Sequence, residues 1–375
     1  MLRCKIRRLM DDCPRRLEDH DRVLLIRLGA VGDVLRTLPA LHLIRSTFPG
    51  VHLSWLVEDL SRDLLAGHPE IDEVLSFPRT ELRQAMMRPR RLRRSIAALT
   101  SDLRRRRFSV ALDFQGSLKS ALLAWLSGAP RRVGFAPGHC REMSFLFTND
   151  WVRPQVGRLN RVERNLLLAE AVGARGDAIE VILPERPEEG RAAAEIVRAV
   201  NPTGSPLVVL SPGTSRRQRY KRWPAEHFSR LAALLASSPG VVPLVAWGPG
   251  EEALASEIVS ASGGRAVKAP PTSLRLLAAV LRRSSLFVGA DSGPMHLAWG
   301  VGCPVLALFG PTDPRLNAPL GVTHVVLRAG PSTADITPDQ ALQATLGILG
   351  RSASTSAAPR LLRSALFPRP AEAGR

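Results

Sequence analysis

The feature that most constrains this chain is the regular return of short apolar runs separated by longer helix-patterned segments. RVLLIR (22–27), HLSWLV (52–57), EVLSF (73–77), VALDF (110–114) and RRVGF (131–135) read as strands. Between or after them lie helical patterns at about 33–48, at 118–128 (LKSALLAWLSG) and at 161–174 (RVERNLLLAEAVGA). Short runs with little polar alternation are buried on both faces, and helix-length spacers force crossover connections. A parallel sheet covered by helices on both sides meets both demands.

The pattern then pauses and restarts. Residues 175–206 are rich in Gly, Pro and charge and read as a junction. LVVLS (207–211), VVPLVAW (241–247), RAVKA (265–269), SLFVG (285–289) and PVLALFG (304–310) follow as strands. Helices are expected from about 224 and 251, over 273–282, from 293 and over 338–350. The expected fold is therefore α/β, with two Rossmann-like doubly wound domains over 21–180 and 181–350. A basic irregular arm (1–20) precedes them, and a Ser/Ala/Pro/Arg-rich tail (351–375), expected to be disordered, follows. A length of 375 residues accommodates two such domains. In open sheets of this kind ligands bind beyond the carboxyl ends of the strands, so the loops there are where chemistry belongs.

Charge narrows the partners. Lys+Arg number 52 and Asp+Glu 34, a formal balance of +18, which favours an anionic partner. Half of that excess sits in residues 79–107, where eleven Arg face only Glu81 and Asp102. Arg alternates there with Leu, Ile and Ala, so the segment is either a solvated helix face or a basic amphipathic helix docking on anionic headgroups. Nucleic acid is a poor fit: aromatics are 5% of the chain and Tyr occurs once, too few for a stacking platform. The four cysteines are scattered, without a CxxC pair, which fits a reducing cytosol. No apolar run reaches the roughly 18–20 residues needed to span a bilayer, and the basic N-terminus lacks a signal-peptide core.

Four loops carry candidate chemistry. After the first strand, LGAVGDVLRTLPAL places Asp33 at the start of a helix, either as its N-cap or as a general base aimed into an interdomain cleft. SPGTSRRQRYKRWP sets Gly213, Thr214 and Ser215 before four cations (Arg216, Arg217, Arg219 and Lys221), a composition suited to phosphate oxygens or to a solvated loop. WGPGEEA carries GxGxxA, the partial mark of a nicotinamide-dependent oxidoreductase. The ribose acid about 20 residues on is missing, and Glu251 is left to bind ribose hydroxyls or to favour a helix N-terminus. In SLFVGADSGPMHLAWG a buried strand ends at Gly289, and Asp291, Ser292 and Gly293 lead into a helix start suited to an anion, with His296 in the first turn. No histidine has partners at metal-ligand spacing.

Together these segments resemble glycosyltransferase family 9, the ADP-heptose:lipopolysaccharide heptosyltransferases and their relatives. The matching stretches are RLGAVGDVLRTLPAL, VALDFQGSLKSALLAWLSGAPRRVGF, RVERNLLLAEAVGA, SPGTSRRQRYKRWP, WGPGEE and VGADSGPMHLAWGVGCPVLALFGPTDP, in family order across most of residues 22–315. The resemblance implies a GT-B architecture, with an N-terminal acceptor domain, a C-terminal nucleotide-sugar domain, and inverting transfer without a metal. It makes Asp33 the base and Lys221 the cation that stabilises the departing diphosphate. Thr214, Ser215, Ser292 and Gly293 fall to the donor phosphates, Glu251 to the nucleoside ribose, and Asp291 and His296 to the donor-sugar side. Gly32, Arg36, Gln115 and Lys119 are expected on the acceptor side. It implies ADP-heptose as donor, a phosphorylated lipid-linked oligosaccharide as acceptor, and work at the inner face of the cytoplasmic membrane. A basic membrane-binding scaffold without catalysis is the alternative outside enzymology. Pro294 departs from the leucine common in heptosyltransferases and removes one N–H from the helix start.

Overall fold

In the computed structural model, residues 16–155, 159–238, 240–352 and 361–362 are described. Most of the expected arm and tail lies outside them, as do Cys4 and Cys13. The part of the arm that is described is tied down: Leu17 is buried and its N–H donates to Val172.

The chain divides into two compact units, Met1–Glu180 and Val181–Arg375. The first holds strands β1 (Arg22–Ile26), β2 (His52–Glu58), β3 (Glu73–Phe77), β4 (Val110–Asp113), β5 (Arg131–Phe135) and β6 (Asp150–Val152), in the order β3-β2-β1-β4-β5-β6. A two-residue strand, β7 (Ala178–Ile179), ends this unit. The second holds β8 (Leu207–Ser211), β9 (Val242–Val245), β10 (Val267–Lys268), β11 (Leu286–Ala290), β12 (Val305–Leu308) and β13 (Val325–Leu327), in the order β10-β9-β8-β11-β12-β13. Every pairing within these two sheets is parallel.

The central strands show why the sequence must fold this way. Val23, Leu24, Leu25 and Ile26 are inaccessible to solvent, as are Val208, Val209 and Leu210, so both sheet faces are covered by helices. Chain order reverses between β1 and β4 in the first sheet and between β8 and β11 in the second. At such switch points the flanking loops diverge and leave a crevice at the strands' carboxyl ends. Asp33, Gln115, Lys221 and Asp291 all lie in the connections that follow the strands at those two points.

Several elements differ from the sequence expectation. The helix expected over 33–48 is two helices, Val31–Leu35 and Leu38–Thr47, because Pro39 lacks an N–H and opens a new helix. The expected junction contains a 14-residue helix, Pro187–Val200, packed on Leu274–Arg282 with Arg275 paired to Glu189 at 3.0 Å. Its Gly- and Pro-rich flanks hid it. The basic segment is two helices, Arg79–Ala85 and Pro89–Arg105. The short outer strands β6 and β13 escaped notice because three residues carry too little pattern.

Candidate active site

In the first unit, β1 delivers Arg27 and then a turn into helix Val31–Leu35, whose first turn carries Asp33. Ala30, not Asp33, is the N-cap, so the capping reading is corrected: the carboxylate is free of the backbone and faces arginines. Arg27 Nη2 sits 2.6 Å from Asp33 Oδ2, and Arg36 pairs with the other oxygen. Arg27 is itself buried and donates through Nη1 to the Phe114 carbonyl at 2.5 Å. Burial alone would raise the Asp33 pKa. The Arg27, Arg36 and Arg161 guanidiniums outweigh it and hold the carboxyl well below the usual carboxylate range. Asp33 is therefore an anion at any working pH, oriented from two sides.

The rest of this rim comes from the neighbouring loops. The Leu28 N–H donates to Gln115 Oε1 at 3.0 Å, joining the loops after β1 and β4. Asp113, at the end of β4, accepts from the Gln115 and Gly116 N–H groups, and complete burial pushes its carboxyl up to about 6. Glu58, at the end of β2, pairs with Lys119 at 3.1 Å and Arg79 at 2.7 Å. Gly32 lies buried in the Asp33 helix, and its carbonyl accepts from Arg36 Nε at 3.2 Å. Arg164 stacks over Phe135 at 3.9 Å, in the field of Arg161, Arg141 and Arg27. Cations outnumber carboxylates around Asp33, so the rim suits an anionic ligand.

In the second unit, the loop after β8 and the start of helix Gly293–Gly300 converge on Lys221. Its ammonium is buried 2.9 Å from Asp291 Oδ2. His296 Nε2 lies 3.5 Å from Asp291 Oδ1. Burial would raise the Asp291 pKa, but His296 and Lys221 hold it well below the ordinary range. Asp291 is thus a counter-ion. It is not the helix cap, a position taken by Ser292, whose hydroxyl is buried without a partner among the described residues. Gly293 begins the helix and Pro294 occupies its first turn.

Thr214 is held by Arg222, whose Nε donates to Thr214 Oγ1 (3.1 Å) and Nη2 to the Thr214 carbonyl (3.0 Å). The same Nη2 pairs with Glu251 at 2.8 Å, and Glu251 Oε2 accepts the Gly248 N–H at 3.2 Å. Gly213 makes this convergence feasible: a Cβ there would stand 1.8 Å from Glu251 Oε2. Ser215, exposed, starts the 3-10 segment Arg216–Lys221. Sequence reasoning singled out the cations up to Lys221 and passed over Arg222, the one that joins Thr214 to Glu251. It also missed Arg27, Glu58 and Asp113. A charge closing an otherwise apolar strand, as in RVLLIR and VALDF, was the available signal. Among the described residues no group of three or more His, Cys, Asp or Glu is placed to hold a metal ion.

A model of "Glycosyltransferase family 9 (heptosyltransferase)" matches residues 96–342. Lipopolysaccharide heptosyltransferase 1 of Escherichia coli K12 is 29% identical over 314 residues, covering 82% of this chain and 93% of the relative. Its Pseudomonas aeruginosa counterpart is 28% identical over 312 residues, covering 82% and 83%. Among solved structures, E. coli heptosyltransferase WaaC with ADP matches with a TM-score of 0.71 at 27% identity, over 87% of this chain and 99% of that one. A family 9 glycosyl transferase from Veillonella parvula shares the fold at a TM-score of 0.77 and 21% identity, over 90% and 99%.

Proposed function

The chain belongs to glycosyltransferase family 9, a glycosyltransferase of the GT-B fold class, and from that premise we propose that it transfers heptose, or a similar sugar, from an ADP-sugar to a lipopolysaccharide core acceptor. The observation that carries the donor half is the cluster after β8 and β11. A buried ammonium stands beside a helix N-terminus and a buried hydroxyl, Ser292, that has no partner among the described residues. Cations and N–H dipoles of this kind stabilise negative charge gathering on a diphosphate. The structure of a relative with ADP-2-deoxy-2-fluoro heptose supports the choice of donor.

In this reading Asp33 takes the proton of an acceptor hydroxyl as its oxygen bonds to the anomeric carbon. The bond from that carbon to the diphosphate breaks on the opposite face, and its electron pair leaves with the phosphate oxygen. Direct displacement inverts the anomeric centre. Lys221 and the Ser292–Gly293 backbone receive the departing charge, and no metal takes part. Thr214 and Ser215 contact the phosphates, and Glu251 the ribose. Asp291 and His296 set the position of Lys221 and border the donor sugar. The arginine-rich rim with Gly32, Arg36, Gln115 and Lys119 takes the anionic acceptor, at the inner face of the cytoplasmic membrane. The oxidoreductase alternative has no support at β10, which ends on Lys268, paired to Glu252 at 2.9 Å, where a ribose acid would be required.

The test is transfer by purified enzyme from a panel of nucleotide sugars to core acceptors. Asp33→Asn is expected to remove most turnover, by ~10²–10⁴-fold for loss of a general base, while ADP affinity survives. No transfer with any donor rejects the reading, and lost ADP binding in Asp33→Asn makes Asp33 structural.

A further inference from the structure

The Arg-rich hairpin of the first unit has a role that the transfer chemistry does not use. Helix Arg79–Ala85 leaves the carboxyl end of edge strand β3, the end that also carries Asp33, and turns through 86–88 into helix Pro89–Arg105. The sequence pattern suggested an amphipathic helix offering its apolar stripe to lipid. The structure uses much of that stripe internally: Leu103 is buried, and Leu82 and Leu99 pack against the core of the first sheet. What remains outside differs in kind. Met86 and Met87 stand at the turn, 67% and 91% exposed. Around them are Arg83, Arg88, Arg90, Arg91, Arg93 and Arg94, with no acidic residue from 83 to 98.

Four of the other five arginines of 79–107 are engaged. Arg79 pairs with Glu58, Arg105 with Asp102, and Arg106 with Glu73 and Asp102, while Arg104 donates to the Leu126 carbonyl. The six near the methionines have no ion pair among the described residues, and Arg90, Arg93 and Arg94 line an open groove of about 560 Å³ with Pro89 and Ala97. Unpaired guanidiniums set close together repel one another, and two exposed methionines hold apolar surface in water. One environment relieves both: an anionic bilayer surface, with phosphate headgroups at the level of the arginines and acyl chains just beneath.

We propose that the 83–96 hairpin is a membrane-docking tip, with Met86 and Met87 inserted among lipids and Arg83, Arg88, Arg90, Arg91, Arg93 and Arg94 on anionic headgroups. The proposal rests on the reading of a lipid-linked acceptor, and it adds the surface that brings the Asp33 end of the sheet to that lipid. Of the apolar stripe of Pro89–Arg105, Leu99 and Leu103 are spent on the protein's own core, while Ile96, 40% exposed, stays outside with the methionines.

Sedimentation of the full chain with vesicles tests it, using phosphatidylcholine alone and phosphatidylcholine with phosphatidylglycerol, in low and high salt. Wild type is expected to bind the anionic vesicles and to lose most binding in high salt. Replacing Arg90, Arg91, Arg93 and Arg94 with Gln should lower partitioning by ~100-fold or more, at about fivefold per arginine. Met86→Ser with Met87→Ser should lower it by about tenfold, the part that salt does not screen. Circular dichroism should be unchanged in both variants, and so should transfer to a lipid-free core acceptor. Wild-type binding that neither variant alters overturns the proposal. So does a methionine-independent preference for RNA over vesicles, which marks the patch as a general polyanion surface. If wild type fails on the lipid-free acceptor while docking persists, the transferase reading fails and the docking surface stands.

Discussion

The Lys221–Asp291 pair allows the binding role of Lys221 to be separated from its structural one. Both side chains are buried, 2.9 Å apart, and His296 is the other group on Asp291. Lys221→Met keeps most of the side-chain volume and leaves a buried carboxylate with only His296 to face it. Breaking a buried pair from one side costs about 3–5 kcal/mol, and the nearby imidazole should reduce that to about 3. Asp291→Asn strands the ammonium in the same way. The double variant Lys221→Met/Asp291→Asn removes both charges, so it should be no less stable than the worse single variant, giving a coupling of at least about 3 kcal/mol. Urea unfolding, fitted as two transitions because the chain has two units, measures this. Calorimetry with ADP measures the other half. A lost charge-assisted contact to phosphate weakens binding by about 10–100-fold, and the double variant should remain weak although its fold is restored. The pH dependence has a definite sign. Wild-type Asp291 has a depressed folded pKa, so its stabilising contribution is complete above the ordinary range near 4 and fades as pH falls below it. In Lys221→Met only His296 still opposes burial, so that carboxyl moves up from its wild-type position and the gap to wild type should narrow as pH falls through its new value. Additive single costs, or wild-type ADP binding by the double variant, refutes this account.

Three further outcomes follow from other contacts. Arg27→Met removes the guanidinium 2.6 Å from Asp33 and leaves burial opposed by Arg36 and Arg161. The acid limb of kcat/KM should move to higher pH, and profiles that superimpose on wild type would show that Arg27 does not set the basicity of Asp33. Gly213→Ala places a Cβ 1.8 Å from Glu251 Oε2, which Arg222 and the Gly248 N–H hold in place. It should cost about 1–3 kcal/mol and weaken ADP binding, whereas Gly248→Ala, whose Cβ would sit 3.3 Å from the same oxygen, should be milder. Equal melting temperatures for the two variants would contradict that ranking. Cys303 is buried and its thiol is pushed up to about 12, so a thiol reagent should reach the partly exposed Cys140 well before it. Equal rates, read by mass spectrometry of the labelled peptides, would show that Cys303 is accessible.

Local pattern carried much of this protein. The apolar runs at 22–27, 207–211 and 285–289 announced strands buried on both faces, and the spacers between them required parallel sheets. The loops at 28–33, 212–221 and 290–293 were singled out because strand–helix order puts them at one end of a sheet. These are short-range facts, written in periods of 2 and 3.6 residues. Pairing across the sheet is not written that way. Arg27 meets the Phe114 carbonyl, Lys221 meets Asp291 and Arg222 meets Glu251 at separations of 87, 70 and 29 residues. Those meetings exist because β4 lies beside β1, β11 beside β8, and β9 on the other side of β8. The same holds for the basic segment: its composition was plain from the start, but only packing against the first sheet decided which side of it stays wet. A side chain's type is local, while its partner is set by which distant strands become neighbours, and that choice is made when the whole sheet buries its faces together.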